Sequence, residues 1–236
     1  MKAKAVLFDL DGTLLPMDQD IFIKKYFKTL SEKMVNHGYN AAELTKSVWQ
    51  CTLAMINNDG KKTNKDVFWD CFEQIYGNKL NDDISYFDEF YADNFDSIKQ
   101  VCSFNAKAKQ TVSLLQKQKI TLILATNPIF PSVATEARIR WAGLQPEDFE
   151  LYTTYENMHY CKPNLNYYNE ILTLFAMSPD DCIMVGNDVG EDMVVSKTGM
   201  RTFLLTDCLI NKNNTDISVY PNGSFDELQD FLIQNI

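Results

Sequence analysis

Four short, mostly apolar runs, at residues 3 to 8, 120 to 125, 182 to 185 and 202 to 205, restrict the fold of this chain more than any other feature. Each is the length of a buried strand and stops at an aspartate, hydroxyl residue or glycine, where a loop would begin. Helical patterns lie beside them, at about 106 to 117, 130 to 142, 165 to 176 and 189 to 198. Strands alternating with helices predict an α/β fold: a parallel sheet with helices on both faces.

The first interval breaks that rhythm. About 110 residues separate Phe8 from Ile120, whereas a strand–helix–strand unit needs only about 30. Between Asp20 and Phe95 the apolar residues keep a helical period, through Phe22, Tyr26, Leu30 and Met34; Leu44, Val48, Cys51 and Met55; Phe68, Phe72 and Ile75; and Ile84, Phe87 and Tyr91. Four helices are expected, with Gly38 and Gly77 as ends and Asn40, Thr63 or Asn64, and Asn81 or Asp82 as N-caps. Residues 16–104 thus read as an inserted helical bundle whose aromatics fill its own interior, and residues 1–15 with 105–236 as the α/β core. Ser224 and Glu227 have capping-box spacing and predict a last helix to about Ile233.

Composition narrows the partners. A net charge of −10 over 236 residues disfavours nucleic acid and anionic membrane surfaces, though not a small phosphate ester held locally by a metal, a lysine and backbone N–H groups. The six cysteines form no C-x-x-C pair, so no zinc or dithiol motif is legible. No apolar stretch has the ~18 residues of a membrane span. The start, Met1-Lys2-Ala3-Lys4, reaches Asp9 without the 7 to 15 apolar residues or so of a signal peptide. A cytoplasmic location is the expectation.

The strand ends carry the chemistry, because open parallel sheets bind ligands at the carboxyl ends of their strands. The first run ends in Asp9-Leu10-Asp11-Gly12-Thr13. The second ends in Thr126-Asn127, whose hydroxyl and amide can hydrogen-bond phosphate oxygens. The third ends in Gly186-Asn187-Asp188, followed by Asp192, with carboxylates at i and i+4 on one face of a helical turn. Between the last two lies Lys162, fixed by Pro163.

Asp9 to Thr13, Thr126, Lys162 and Gly186 to Asp192 resemble, in order, the four motifs of the haloacid dehalogenase superfamily. The helical insert after the first motif is similar to that family's C1 cap, and the 35 residues between Thr126 and Lys162 leave no room for a C2 cap. The resemblance implies a Rossmann-like core and a Mg²⁺-dependent phosphatase acting on a small phosphorylated substrate. It assigns Asp9 as nucleophile, Asp11 as general acid and base with a raised pKa, and Thr126, Asn127 and Lys162 as phosphate ligands. Asp9, the main-chain carbonyl of Asp11 and Asp188 would hold the metal, with Asp192 behind them. Asn187 departs from the acidic residue or glycine often found at its position, which puts a third carboxylate ligand in question.

A phosphomutase would use the same residues, and a phosphonatase would need a lysine of the insert, such as Lys24, Lys25, Lys61 or Lys62. A dehalogenase fits less well, since halide departure gives Asp11 no proton to donate. A receiver-like phosphoacceptor would spread its acidic residues over separate strands, and an idle binding protein would not need all four motifs. His37, His159 and Cys161 are unassigned.

Overall fold

The computed structural model describes residues 2–77 and 79–236, with side chains of 79–82 left aside. Six strands form one parallel sheet in the order β3-β2-β1-β4-β5-β6. They are β1 (Ala5–Phe8), β2 (Thr121–Leu124), β3 (Leu151–Tyr152), β4 (Cys182–Gly186), β5 (Arg201–Leu205) and β6 (Asn222–Gly223). All four expected strands are present. The two edge strands were not foreseen, because two residues are too few for a periodic signal. β1 is wholly buried between β2 and β4, so strand order reverses at β1 and opens a crevice beyond its carboxyl end.

Helices α5 (Ala106–Lys117), α6 (Ser132–Trp141), α7 (Leu165–Leu174) and α8 (Phe225–Asn235) flank the sheet. Ser224 and Glu227 form the expected capping box at the start of α8. The helix expected over 189 to 198 is instead a turn followed by a 3-10 segment, Met193–Thr198. At the head of this segment Asp188 accepts the N–H groups of Gly190 and Glu191 with its side chain and that of Asp192 with its carbonyl, as an N-cap does.

Residues 19 to 101 form α1 (Gln19–Met34), α2 (Ala41–Ile56), α3 (Asn64–Tyr76), α4 (Lys79–Glu89), a π turn at Phe90–Asn94 and a 3-10 segment at Phe95–Val101. Asn40 caps α2 and Thr63, not Asn64, caps α3. The Asn81 or Asp82 cap falls outside the described side chains. The chain leaves the sheet and returns to it at one place, where Ser103 N–H bonds Pro16 C=O at 2.8 Å and Met17 pairs with Cys102. Buried residues of the helices, including Tyr26, Phe72 and Phe95, join those of β1 and β4 in one continuous apolar cluster.

Candidate active site

β1 delivers Asp9 to the crevice. The Asp9 N–H closes the ladder on Val185 C=O at 2.9 Å, and the chain then folds back so that Leu15 N–H bonds Leu10 C=O at 2.8 Å. Gly12 makes this reversal possible: its φ is +87°, and a Cβ there would collide with the side chain of Asn187. The reversal turns Thr13 back on Asp9, and its hydroxyl lies 3.2 Å from Asp9 Oδ2 and 3.0 Å from Asn187 Oδ1.

Lys162 reaches the same place from the loop before α7. It is 1% exposed, and its ammonium sits 2.8 Å from Asp9 Oδ1 and 2.6 Å from Asp192 Oδ1. A buried cation persists only with such partners. Burial by itself favours the neutral amine, but Asp192 and Asp9 overcome it and hold Lys162 well above the ordinary lysine range. Burial pushes Asp192 upward, opposed by Lys162. Asp192 also accepts the Asp188 N–H at 3.0 Å, so it orients both the lysine and the turn.

Three expected site residues are placed differently from one another. Thr126 is buried, and its carbonyl is fixed by Thr153 and Tyr167 hydroxyls at 2.6 and 2.9 Å. Asn127 donates to Glu191 Oε2 at 3.0 Å, leaving one amide hydrogen for a phosphate, and its Oδ1 is buried with no partner among the described residues. Asp188 accepts the N–H groups of Gly190 and Glu191, at 2.7 and 3.0 Å, through Oδ1 alone. Asn187 meets Thr13, whose hydroxyl also lies against Asp9. Its amide donates to Cys208 C=O at 2.7 Å, which points its oxygen at Thr13.

Arg138 is the site residue that sequence reasoning missed. It lies on α6, wholly buried, and its guanidinium is ion-paired to Asp11 Oδ2. It also donates to Ala134 C=O and Thr135 Oγ1 at 3.2 Å each, and stacks 4.5 Å over the Phe130 ring. A signal did exist: position 138 shares a helix face with Ala134 and Ala142, an inward face where arginine needs a partner. Burial raises the Asp11 carboxyl above its usual range, Arg138 opposes this, and nearby Asp9 adds to it. Asp11 Oδ1 is buried and unpartnered among the described residues.

His159 is paired with Glu170, with Nδ1 2.6 Å from Oε1. Cys161 is 1% exposed, and burial raises its thiol far above the usual range. Alkylation of the native protein at pH 8 is therefore expected to leave Cys161 unmodified in a peptide-mass map; rapid labelling there would show the thiol to be accessible.

The donors around Asp9 suit a hard cation. Carboxylates and a main-chain carbonyl are the ligand types Mg²⁺ takes, with water filling the rest. Among the described residues no three His, Cys, Asp or Glu groups converge as a metal cluster.

Residues 6–205 match the family model for haloacid dehalogenase-like hydrolases. The pyrophosphatase PpaX of Bacillus mycoides (strain KBAB4) is 24% identical over 233 residues, spanning 98% of this chain and 96% of that protein. Two solved structures share the fold. One is the 2-haloacid dehalogenase of Pseudomonas syringae pv. tomato DC3000, at TM-score 0.65 and 19% identity over 98% of this chain and 99% of the other. The second is the HAD hydrolase YfnB of Bacillus subtilis, solved bound to magnesium, at TM-score 0.57 and 18% identity over 98% and 99%. With the motif residues gathered at one crevice and the family model spanning most of the sheet, the chain belongs to the haloacid dehalogenase-like hydrolases.

Proposed function

We propose that the chain is a Mg²⁺-dependent phosphatase that hydrolyses a small phosphorylated metabolite through an aspartyl-phosphate on Asp9. The observation that carries this is the contrast between two aspartates two residues apart. Asp9 is bracketed by a buried ammonium and a hydroxyl. Asp11 is raised by burial and keeps one oxygen unpartnered. Environments that separate two carboxylates in this way assign one as nucleophile and the other as acid.

In the first step an Asp9 oxygen bonds to phosphorus as the ester P–O bond breaks, and Asp11 gives its proton to the leaving oxygen. In the second, Asp11 takes a proton from water, whose oxygen attacks phosphorus and frees Asp9 as a carboxylate with release of phosphate. Lys162 offsets the repulsion between Asp9 and the phosphoryl oxygens, and Thr126 with the remaining Asn127 hydrogen would bind those oxygens. A magnesium ion, when bound, would neutralise charge on the transferring group. The relatives, a pyrophosphatase and a hydrolase solved bound to magnesium, support this reading. The dehalogenase neighbour shows that the fold alone does not choose the reaction; an acid at Asp11, whose carboxyl burial raises, favours esters over halides. A cap role for residues 16–104 and a cytoplasmic location belong to the same proposal. All six cysteines are free thiols, in keeping with a reducing compartment, and no described helix is long and apolar enough to cross a membrane.

Asp9, the Asp11 carbonyl and Asp188, whose Oδ2 takes no part in its turn, would hold the metal, with Asp192 behind them. Chelation should stop turnover and added Mg²⁺ restore it. In calorimetric titration, Asp188→Asn should weaken Mg²⁺ binding about tenfold by removing ligand charge. Unchanged Mg²⁺ binding in Asp188→Asn would remove Asp188 from the ligand set. Turnover that survives chelation would overturn the metal role.

A further inference from the structure

A cavity of about 90 Å³ lies between the helical insert and the sheet. Its helical wall includes Tyr26, Trp49, Phe68 and Trp69, and its floor is Ile129, Phe130 and Pro131, which directly follow the phosphate-binding end of β2. The cavity adjoins the acid: Phe130 carries on its ring the Arg138 guanidinium that holds Asp11. It also opens toward solvent. Ile23 and Trp49 are shared with a larger cleft of about 860 Å³, whose other side contains Cys208, the residue that orients Asn187.

No residue lining the cavity carries a charge. Its polar atoms largely satisfy one another, as with the Tyr26 and Tyr91 hydroxyls at 3.1 Å. Of the three arginines in the chain, none lies in residues 16–104, and Lys61 and Lys62 are paired outside the cavity with Asp59 and Asp70 at 2.6 and 2.5 Å. A phosphate or carboxylate leaving group inside the cavity would lose its hydration and find no cation among the lining residues, since Arg138 behind Phe130 is paired with Asp11 and Lys24 and Lys212 line only the outer cleft. An apolar group loses nothing. Dry apolar cavities of about 150 Å³ admit benzene, so a single ring enters here once Trp49 shifts, and Trp49 is 42% exposed at the mouth.

We propose that the substrate is a phosphate monoester of a small apolar alcohol, a short branched alkyl or single-ring group, and that this cavity seats the alcohol portion. The proposal rests on the phosphatase reading above. It sets the chain apart from the pyrophosphate named for its relatives, because pyrophosphate presents a second anion to a wall without cations.

The test compares benzyl phosphate with ethyl phosphate, whose alcohols leave with similar ease, alongside pyrophosphate and the phosphate ester of glycolic acid, on the full chain with Mg²⁺. Benzyl phosphate should show a KM at least about tenfold below that of ethyl phosphate with kcat little changed, and kcat/KM at least about tenfold above both anionic substrates. Trp49→Ala, at a half-exposed position, should bring the benzyl to ethyl ratio of kcat/KM to within about twofold of one. Equal KM values for the two esters, an anionic substrate in first place, or a benzyl advantage that survives Trp49→Ala would overturn the proposal. Should no phosphate be hydrolysed, the phosphatase reading fails on its own. The cavity is then judged from tryptophan fluorescence with benzylphosphonate and ethylphosphonate: a Kd ratio of at least about ten sustains it, and equal values reject it.

Discussion

Asp9→Asn is expected to lower turnover by about four orders of magnitude or more while leaving the fold intact. The amide is nearly isosteric with the carboxylate but is a far weaker nucleophile, and removal of a nucleophile from a preorganised site typically costs on this scale. Lys162 would keep Asp192 at 2.6 Å, so its burial stays compensated. The melting temperature should move by only a few degrees. Rapid-quench assays with a labelled phosphate ester would read both points, since the wild-type chain should trap label on Asp9 and the variant none. A well-folded Asp9→Asn protein that retains near wild-type turnover would remove Asp9 from the role of nucleophile.

Arg138→Met should have the largest effect on stability. Methionine can keep much of the packing on Phe130 but leaves Asp11 beside a wholly buried position without its counter-charge. Removing one partner of a buried pair costs about 3 to 5 kcal/mol, which for a chain of this length lowers the melting temperature by roughly 6 to 15 °C. The double variant Arg138→Met with Asp11→Asn should recover much of that loss, because no carboxylate is then stranded.

The same substitution predicts a change with pH. Arg138 opposes the burial that raises Asp11, so its loss lets the Asp11 pKa rise further. The first step needs Asp11 protonated, and activity falls as pH rises through that pKa. The alkaline limb of log kcat against pH should therefore shift to higher pH in Arg138→Met, in whatever fraction of the protein stays folded. A limb that stays in place would mean that another group sets it, and a variant as stable as wild type would show the ion pair to be energetically idle.

Much of the site was legible because strand ends in a parallel sheet share one edge. Asp9, Thr126 and the Gly186 turn each follow an apolar run, so their convergence needed only the fold class. Lys162 was legible through its order among them. Asn187 and Asp188 could not be separated in this way, since adjacent residues at a strand end point in different directions and only the local turn chooses between them. Here the N–H groups of Gly190 and Glu191 claim one oxygen of Asp188, and Cys208 claims the amide of Asn187. The edge strands β3 and β6 escaped because two residues have no period, and the helix expected from 189 gave way to the turn that Asp188 caps.

By itself the sequence determined the alternation of strands and helices, the helical insertion between the first two strands, and which residues stand at the strand ends, because period and punctuation are local properties of the chain. Tertiary structure alone decided what meets across the chain. It paired Arg138 with Asp11, 127 positions apart, and gathered aromatic residues of the insert and Phe130 of the sheet domain into one uncharged cavity. Such contacts depend on how the helices dock on the sheet, and burial then raises the Asp11 carboxyl above its usual range while the aromatic lining leaves no charged residue around the proposed alcohol group.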